Sequence, residues 1–217
     1  NKRNDYIPIE VHWSEVPGRD EKWKEDTIRN TSPEQFQQEF ECEFLGSVNT
    51  LISPAKIKNI VFKTPLKSNA GLDVYEEPKK GATYVCTVDV ARGVNKDYSA
   101  FIILDVSQMP YKVVCKYRSN DVKPILFPHT IDRVAKAYNH AHVLVETNDL
   151  GQQIAEALQF ELEYDNLLMT TQRGRAGQIL GAGFSGRGSG FGVRMTKQIK
   201  KIGCSNIKTL IESDKIL

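Results

Sequence analysis

The chain has 217 residues, 40% of them hydrophobic and 26% charged, with a formal net charge of +2 at pH 7. That profile excludes disorder as the default state and supplies enough apolar material for one good core with some attached structure. No apolar run approaches a membrane span, and the opening NKRNDYIPIE lacks the hydrophobic region of a signal peptide, so the protein is expected to stay where it is made.

In chain order, the first fifty or so residues read as helices outside the core of the later domain. Ser32, Pro33 and Gln35 form a capping-box start with proline at the first helical position, and Phe36, Phe40 and Phe44 then recur every fourth residue. Such an aromatic stripe needs a surface, which the rest of this chain or a neighbouring domain would supply. Pro54, Pro65, Gly71, Pro78 and Gly81 punctuate the next segment, which reads as a connection wrapped over a domain.

From Tyr84 the pattern turns strand-like: YVCTVDV, SAFIILDV and KVVCKYR are three β-rich runs joined by short polar turns, as in an antiparallel meander. A helix fits Pro128 to Asn139, with Ile131, Val134, Ala135 and Tyr138 on one face. HVLVE is too short for a helix and too apolar for an edge loop. Asn148 or Asp149 is expected to cap a second helix carrying Ile154, Ala155, Leu158 and Leu162, with Gln152 completing a capping box. NLLMTT is a fifth strand. The glycine-dense, basic stretch between Arg173 and Gly192 has no periodicity and reads as a mobile loop. Thr196 caps a helix from Lys197, and SDKIL reads as entry into a further strand, so that the sequence is expected to end before its fold does. Three strands followed by α, β, α, β give a mixed sheet with helices on its faces.

Asp89 stands near the C-terminal end of its strand, on the face of Val85 and Thr87, and Glu146 ends HVLVE. If those strands are neighbours, the two carboxylates meet at one sheet edge. Like charges that close repel unless a cation lies between them, and a hard divalent ion such as Mg²⁺ or Mn²⁺ is the simplest resolution. A lone aspartate at a strand end equally reads as a turn former, so the pairing is what points to a metal. Asp97, in the hairpin turn, reads first as a turn residue that could curl back to the same edge. Asp105 and Asp121 read as turn residues.

Charge is one-sided: residues 10 to 43 are rich in acids, whereas Asn166 to Ile211 contains none and carries Arg173, Arg175, Arg187, Arg194, Lys197, Lys200, Lys201 and Lys208. That suits a polyanion. Cys42, Cys86, Cys115 and Cys204 form no C-x-x-C pair and read as buried thiols, with zinc and disulfides not expected. There is no P-loop, no H-E-x-x-H and no G-x-S-x-G elbow; GRGSGFG follows no strand of a βαβ unit and is a weak dinucleotide signal.

The meander carrying an Asp, then a helix, then a strand ending in Glu resembles the ribonuclease H-like nuclease and integrase fold. In detail, TVDVARGVNKDYSAFIILDV, VLVETNDLGQQIA and the segment from GRAGQILGAGFSG to GVRMTKQIKKIGCSNIKTLIE are similar to the C-terminal nuclease domain of the large terminase subunit of T4-like tailed phages. WSEVPGRDEKWKEDTIRNTSPEQFQQEFECEFLGSVNTLIS resembles the end of that protein's ATPase half. The resemblance implies a connector over 1–58 and a ribonuclease H-like nuclease domain over 59–217, missing its C-terminal end. It implies catalytic Asp89, Glu146 and Asp97, with Asp89 and Glu146 as ligands of a two-metal Mg²⁺ or Mn²⁺ site. A third catalytic Asp of the family lies further along and has no counterpart here; Asp214 stands outside the matching motif.

The same resemblance implies cleavage of concatemeric double-stranded DNA during headful packaging. Arg92, Arg173, Arg175, Arg187, Arg194, Lys197, Lys200 and Lys201 would contact DNA. The implied partners are the ATPase domain of the same polypeptide, the portal and the small terminase subunit, in the host cytoplasm at the procapsid portal, with no membrane and no secretion. Two rivals are a non-catalytic module that grips DNA and docks the motor, and an actin-like ATPase. The latter needs a glycine- and hydroxyl-rich turn after the Asp, which Ala91, Arg92 and Gly93 do not supply.

Overall fold

A computed structural model describes residues 11–41, 50–60, 62–91, 97–172, 178–182 and 189–217. The chain divides into two compact units, Asn1–Ile60 and Val61–Leu217.

In the first unit, α1 (Glu21–Asn30) is capped by Asp20, and α2 (Pro33–Glu39) by Ser32, whose side chain accepts from the Gln35 N–H as the sequence predicts. The Gln35 amide turns instead to Glu39, so only half of the capping box forms. Phe36 and Phe40 find their surface inside the unit. Phe36 sits edge-on to Trp13 at 6.0 Å, and Trp23 meets Phe40 at 5.3 Å. The Arg19 guanidinium lies 4.5 Å from the Trp23 ring centre. Cys42 and Phe44 lie outside the described residues. A last short helix, α3 (Pro54–Asn59), starts from Ser53.

The second unit is built on a six-stranded sheet in the order β1-β2-β5-β4-β3-β6. Its centre is the expected meander, β3 (Tyr84–Asp89), β4 (Ser99–Asp105) and β5 (Lys112–Ser119), with β6 (His142–Val145) joined parallel to β3. Alternation divides β3 cleanly: Tyr84, Cys86 and Val88 are buried, whereas Asp89 at the end is exposed. The buried face packs under α4 (Phe127–Ala137) and α5 (Gly151–Glu156), the latter running on as a π-helical turn over Ala157–Glu161. Phe101, Tyr117 and Phe127 stack there with ring centres 5.1 to 6.2 Å apart. Burial pushes the Cys86 thiol up and that of Cys115 to about 11, so neither is a ready nucleophile. Cys204 is free and only partly buried.

Three expectations are corrected. The punctuated segment contains a hairpin, β1 (Lys67–Asn69) and β2 (Leu72–Val74), which adds to the β5 edge and turns through Ala70 and Gly71, both at positive φ. The stretch expected as a loop contains β8 (Gln178–Ala182) and β9 (Ser189–Phe191), both antiparallel to β7 (Leu168–Gln172) in a separate three-stranded sheet. These two strands pair with β7 without any side-chain periodicity in the sequence to announce them. Third, neither Asn148 nor Asp149 caps α5, whose N-cap is Leu150 without a side-chain bond, and Gln152 turns to Glu156. Thr196 does cap α6 (Lys197–Glu212), and SDKIL forms no named strand but makes a single parallel bridge, Ile216 to Tyr111. Among the described residues, no helix is long and apolar enough to cross a membrane.

Candidate active site

Parallel pairing of β3 and β6 brings the two acids together. Val88 registers with Val145, and the Glu146 N–H donates to the Val88 carbonyl at 2.9 Å, so Asp89 and Glu146 follow one step beyond on the same face. Burial and, second to it, the Asp89 carboxylate push the Glu146 carboxyl above its ordinary value, while Lys200 pulls it down. The two acids therefore feel each other across the sheet end, with an ammonium close by.

The surroundings fix Glu146 on every side of its backbone. Val193 bridges beside it, with Thr147 N–H donating to the Val193 carbonyl and Val193 N–H to the Val145 carbonyl at 2.9 and 2.8 Å. Asn148 then clips the Met195 peptide at both ends: its Oδ1 accepts from Met195 N–H at 3.0 Å and its Nδ2 donates to Met195 O at 3.1 Å. Thr196, next in the chain, caps α6, so the clip ties the start of α6 to the Glu146 loop. Gly192, at φ +70°, backs onto the Val145 carbonyl, and Gly151 opens α5 against the Glu146 carbonyl; neither place has room for a Cβ. On the Asp89 side, the Ala91 N–H donates to the buried Ser99 hydroxyl at 3.1 Å, steadying the chain just after the acid.

Of the residues expected at the site, Asp89 and Glu146 are together, and the charge of Lys200 acts on Glu146, drawing its carboxyl down. Arg194 lines a cleft of about 530 Å³ with Thr147, Asn148, Asp149, Gln152 and Met195, immediately beyond Glu146. Lys197 and Lys201 are exposed at the start of α6. Asp97 is exposed at the return of the β3–β4 hairpin, and no three His, Cys, Asp or Glu residues form a metal-sized cluster among the described residues. Arg92, Arg173, Arg175 and Arg187 lie outside the described residues. Sequence reading missed Gly151, Gly192 and Ser99, and gave Asn148 only the role of a helix cap. A glycine at the mouth of a helix five residues after Glu146 was the available signal of close backbone approach.

A meander bearing an acid, joined parallel to a strand that ends in a second acid, defines a ribonuclease H-like domain. A family model described as the terminase RNaseH-like domain matches residues 86–217, well over half of the chain, and the chain belongs to that family. It is 27% identical over 146 residues to the terminase large subunits of Thermus virus P23-45 and Thermus phage G20c, each match covering 67% of this chain and 28% of the relative. The chain thus spans little more than a quarter of those relatives. Among solved structures, the large terminase nuclease of phage G20c with bound magnesium matches at a TM-score of 0.58 and 17% identity, and the form with bound cobalt at 0.57 and 17%. Both matches cover 79% of this chain and 74% of the other. The nuclease domain of the Thermus phage P74-26 large terminase matches at 0.50 and 20%, covering 70% and 64%. Likeness at that level of identity shows the fold.

Proposed function

We propose that this chain is the metal-dependent endonuclease part of a phage DNA-packaging terminase, cutting concatemeric double-stranded DNA to headful lengths. One observation carries it: two carboxylates from separate strands, Asp89 and Glu146, meet at the end of one ribonuclease H-like sheet. The donor set fits a hard divalent ion, because both ligands are carboxylate oxygens and their mutual repulsion is what a cation relieves. Nucleases of this fold carry magnesium or cobalt in the phage G20c structures, which supports the same use here. Bound Mg²⁺ or Mn²⁺, in one or two ions, would supply Lewis-acid stabilisation of charge at the phosphodiester.

The chain's own residues do the rest. Asp89 and Glu146 would hold the ion, with Asp97 as the acidic neighbour from the hairpin. Lys200, beside Glu146, neutralises the phosphate being cut, while Arg194, Lys197 and Lys201 take flanking phosphates irrespective of sequence. Arg92, Arg173, Arg175 and Arg187 extend the same contact. Residues 1–58 belong to the connection with an ATPase half, and 59–217 to the nuclease; the portal and the small terminase subunit are the packaging partners, in the host cytoplasm at the procapsid portal. The basic start of α6 does not depend on the acids, which favours DNA gripping as a second, separable role.

Plasmid cleavage with Mg²⁺ or Mn²⁺ tests the assignment. Asp89→Ala and Glu146→Ala are expected to lose on the order of 100-fold or more in rate while keeping salt-sensitive DNA binding. Undiminished cleavage in either variant would overturn the nuclease reading, and binding without any cleavage in the parent chain would leave the gripping role.

A further inference from the structure

The outer face of the sheet carries a third charged group in line with the two acids. Asp89 registers with Ala100 on β4, and Ala100 with Arg118 on β5, so Glu146, Asp89, Ala100 and Arg118 form one row across the end of the sheet. Residues in register share a face, and two inter-strand spacings place the Arg118 Cα roughly 10 Å from that of Asp89. Between them stands only the methyl group of Ala100, which leaves the floor of the row low.

Arg118 has contacts at both its backbone and its side chain. Its N–H donates to the Gly71 carbonyl at 2.9 Å, and its own carbonyl backs onto Gly71 so closely that a Cβ there would collide with it. Its guanidinium lies 3.7 Å from the centre of the Tyr98 ring, a residue two positions before Ala100 and 42% exposed. No carboxylate among the described residues pairs with it. A guanidinium drawn to an aromatic ring by cation–π attraction still has N–H groups to offer a phosphate, which it can receive bidentately.

We propose that Arg118, seated on Tyr98, is a backbone-phosphate subsite of the DNA-binding face, fixing the strand on the side of Asp89 opposite Lys200. The inference rests on the nuclease reading for its ligand: cations then flank the acid pair on both sides, and a DNA strand laid across the row meets Lys200, the cutting site and Arg118 in turn.

Fluorescence anisotropy with a duplex oligonucleotide, at several salt concentrations and without divalent metal, tests it on the 217-residue chain. Arg118→Ala is expected to weaken binding on the order of 5-fold and to reduce the slope of log Kd against log salt by about one. Arg118→Lys keeps the charge but loses the guanidinium fork and falls between. Tyr98→Phe keeps the ring and stays close to the parent, which guards against a folding artefact in Tyr98→Ala. In plasmid cleavage, Arg118→Ala is expected to raise KM and leave kcat within about 2-fold. Binding and salt slope unchanged in a folded Arg118→Ala would overturn the subsite. Cleavage persisting in Asp89→Ala would sink the nuclease reading instead, and leaves the binding result to decide the subsite separately.

Discussion

Gly151 opens α5 directly against the main-chain carbonyl of Glu146, with no room for a methyl group between them. The backbone of the acid is thus one wall of the helix start. Gly151→Ala has a favourable helix propensity, and by that criterion alone would stabilise an exposed helix. Here the clash decides. The substitution is expected to cost about 1–3 kcal/mol in urea unfolding, the range for overpacking a filled site. Plasmid cleavage should fall as well, because Glu146 must shift. A Gly151→Ala chain as stable and active as the parent would show that the contact yields freely.

Asn148 offers a different kind of test, because its side chain joins two distant segments of the chain. Its amide makes both hydrogen bonds to the Met195 peptide, 47 positions away, and positions Arg194 and the start of α6. Asn148→Ala should lower stability by about 1–2 kcal/mol, two exposed hydrogen bonds' worth. It should also raise the KM for DNA, with a smaller change in kcat. Asn148→Asp keeps the acceptor for Met195 N–H but loses the donor, and is expected to recover part of the loss. Equal behaviour of both variants in DNA binding would show that the clip does not set the position of α6.

How much of this is legible in the sequence depends on range. Asp89 and Glu146 can be placed because alternation along YVCTVDV and the brevity of HVLVE are local signals, and sheet geometry then joins the two strand ends. The β1–β2 hairpin escapes such a reading because its strands are three residues long: KSN is polar and exposed, and LDV offers only Leu72 and Val74 toward the core, too few positions to reveal a period of two. Strands β8 and β9 escape it for a related reason: glycines interrupt the side-chain pattern, and the pairing of both strands with β7 is a long-range fact. Asn148 reads as a helix cap because Asn before a helix usually is one; its bonds to Met195 are a tertiary fact. Arg118 carries no signal at all, since its meaning lies in its register with Ala100 and Asp89.

Glu76 supplies the pH dependence. Its carboxylate accepts from Lys79 Nζ at 2.9 Å and Lys63 Nζ at 3.1 Å, is only 20% exposed, and sits on a segment whose backbone joins Val114 and the Tyr138 hydroxyl. Those hydrogen bonds, Lys79 first, hold the carboxyl down at about 2. With the folded value below the unfolded one, the unfolded chain takes up the proton first. The contribution is therefore complete above the ordinary carboxylate range, about 4.3, and is lost as the pH falls through about 2. Lys63 and Lys79 are both 58% exposed, so solvent screening limits the pairing to about 1 kcal/mol. Glu76→Gln is expected to cost that much at pH 7, less at high salt, and to unfold with a shallower acid limb between roughly pH 5 and 2 than the parent. Urea titrations at about pH 7, 5, 4 and 3 check this: the gap between the two chains should close as the pH falls, and a constant gap would place the stabilisation elsewhere.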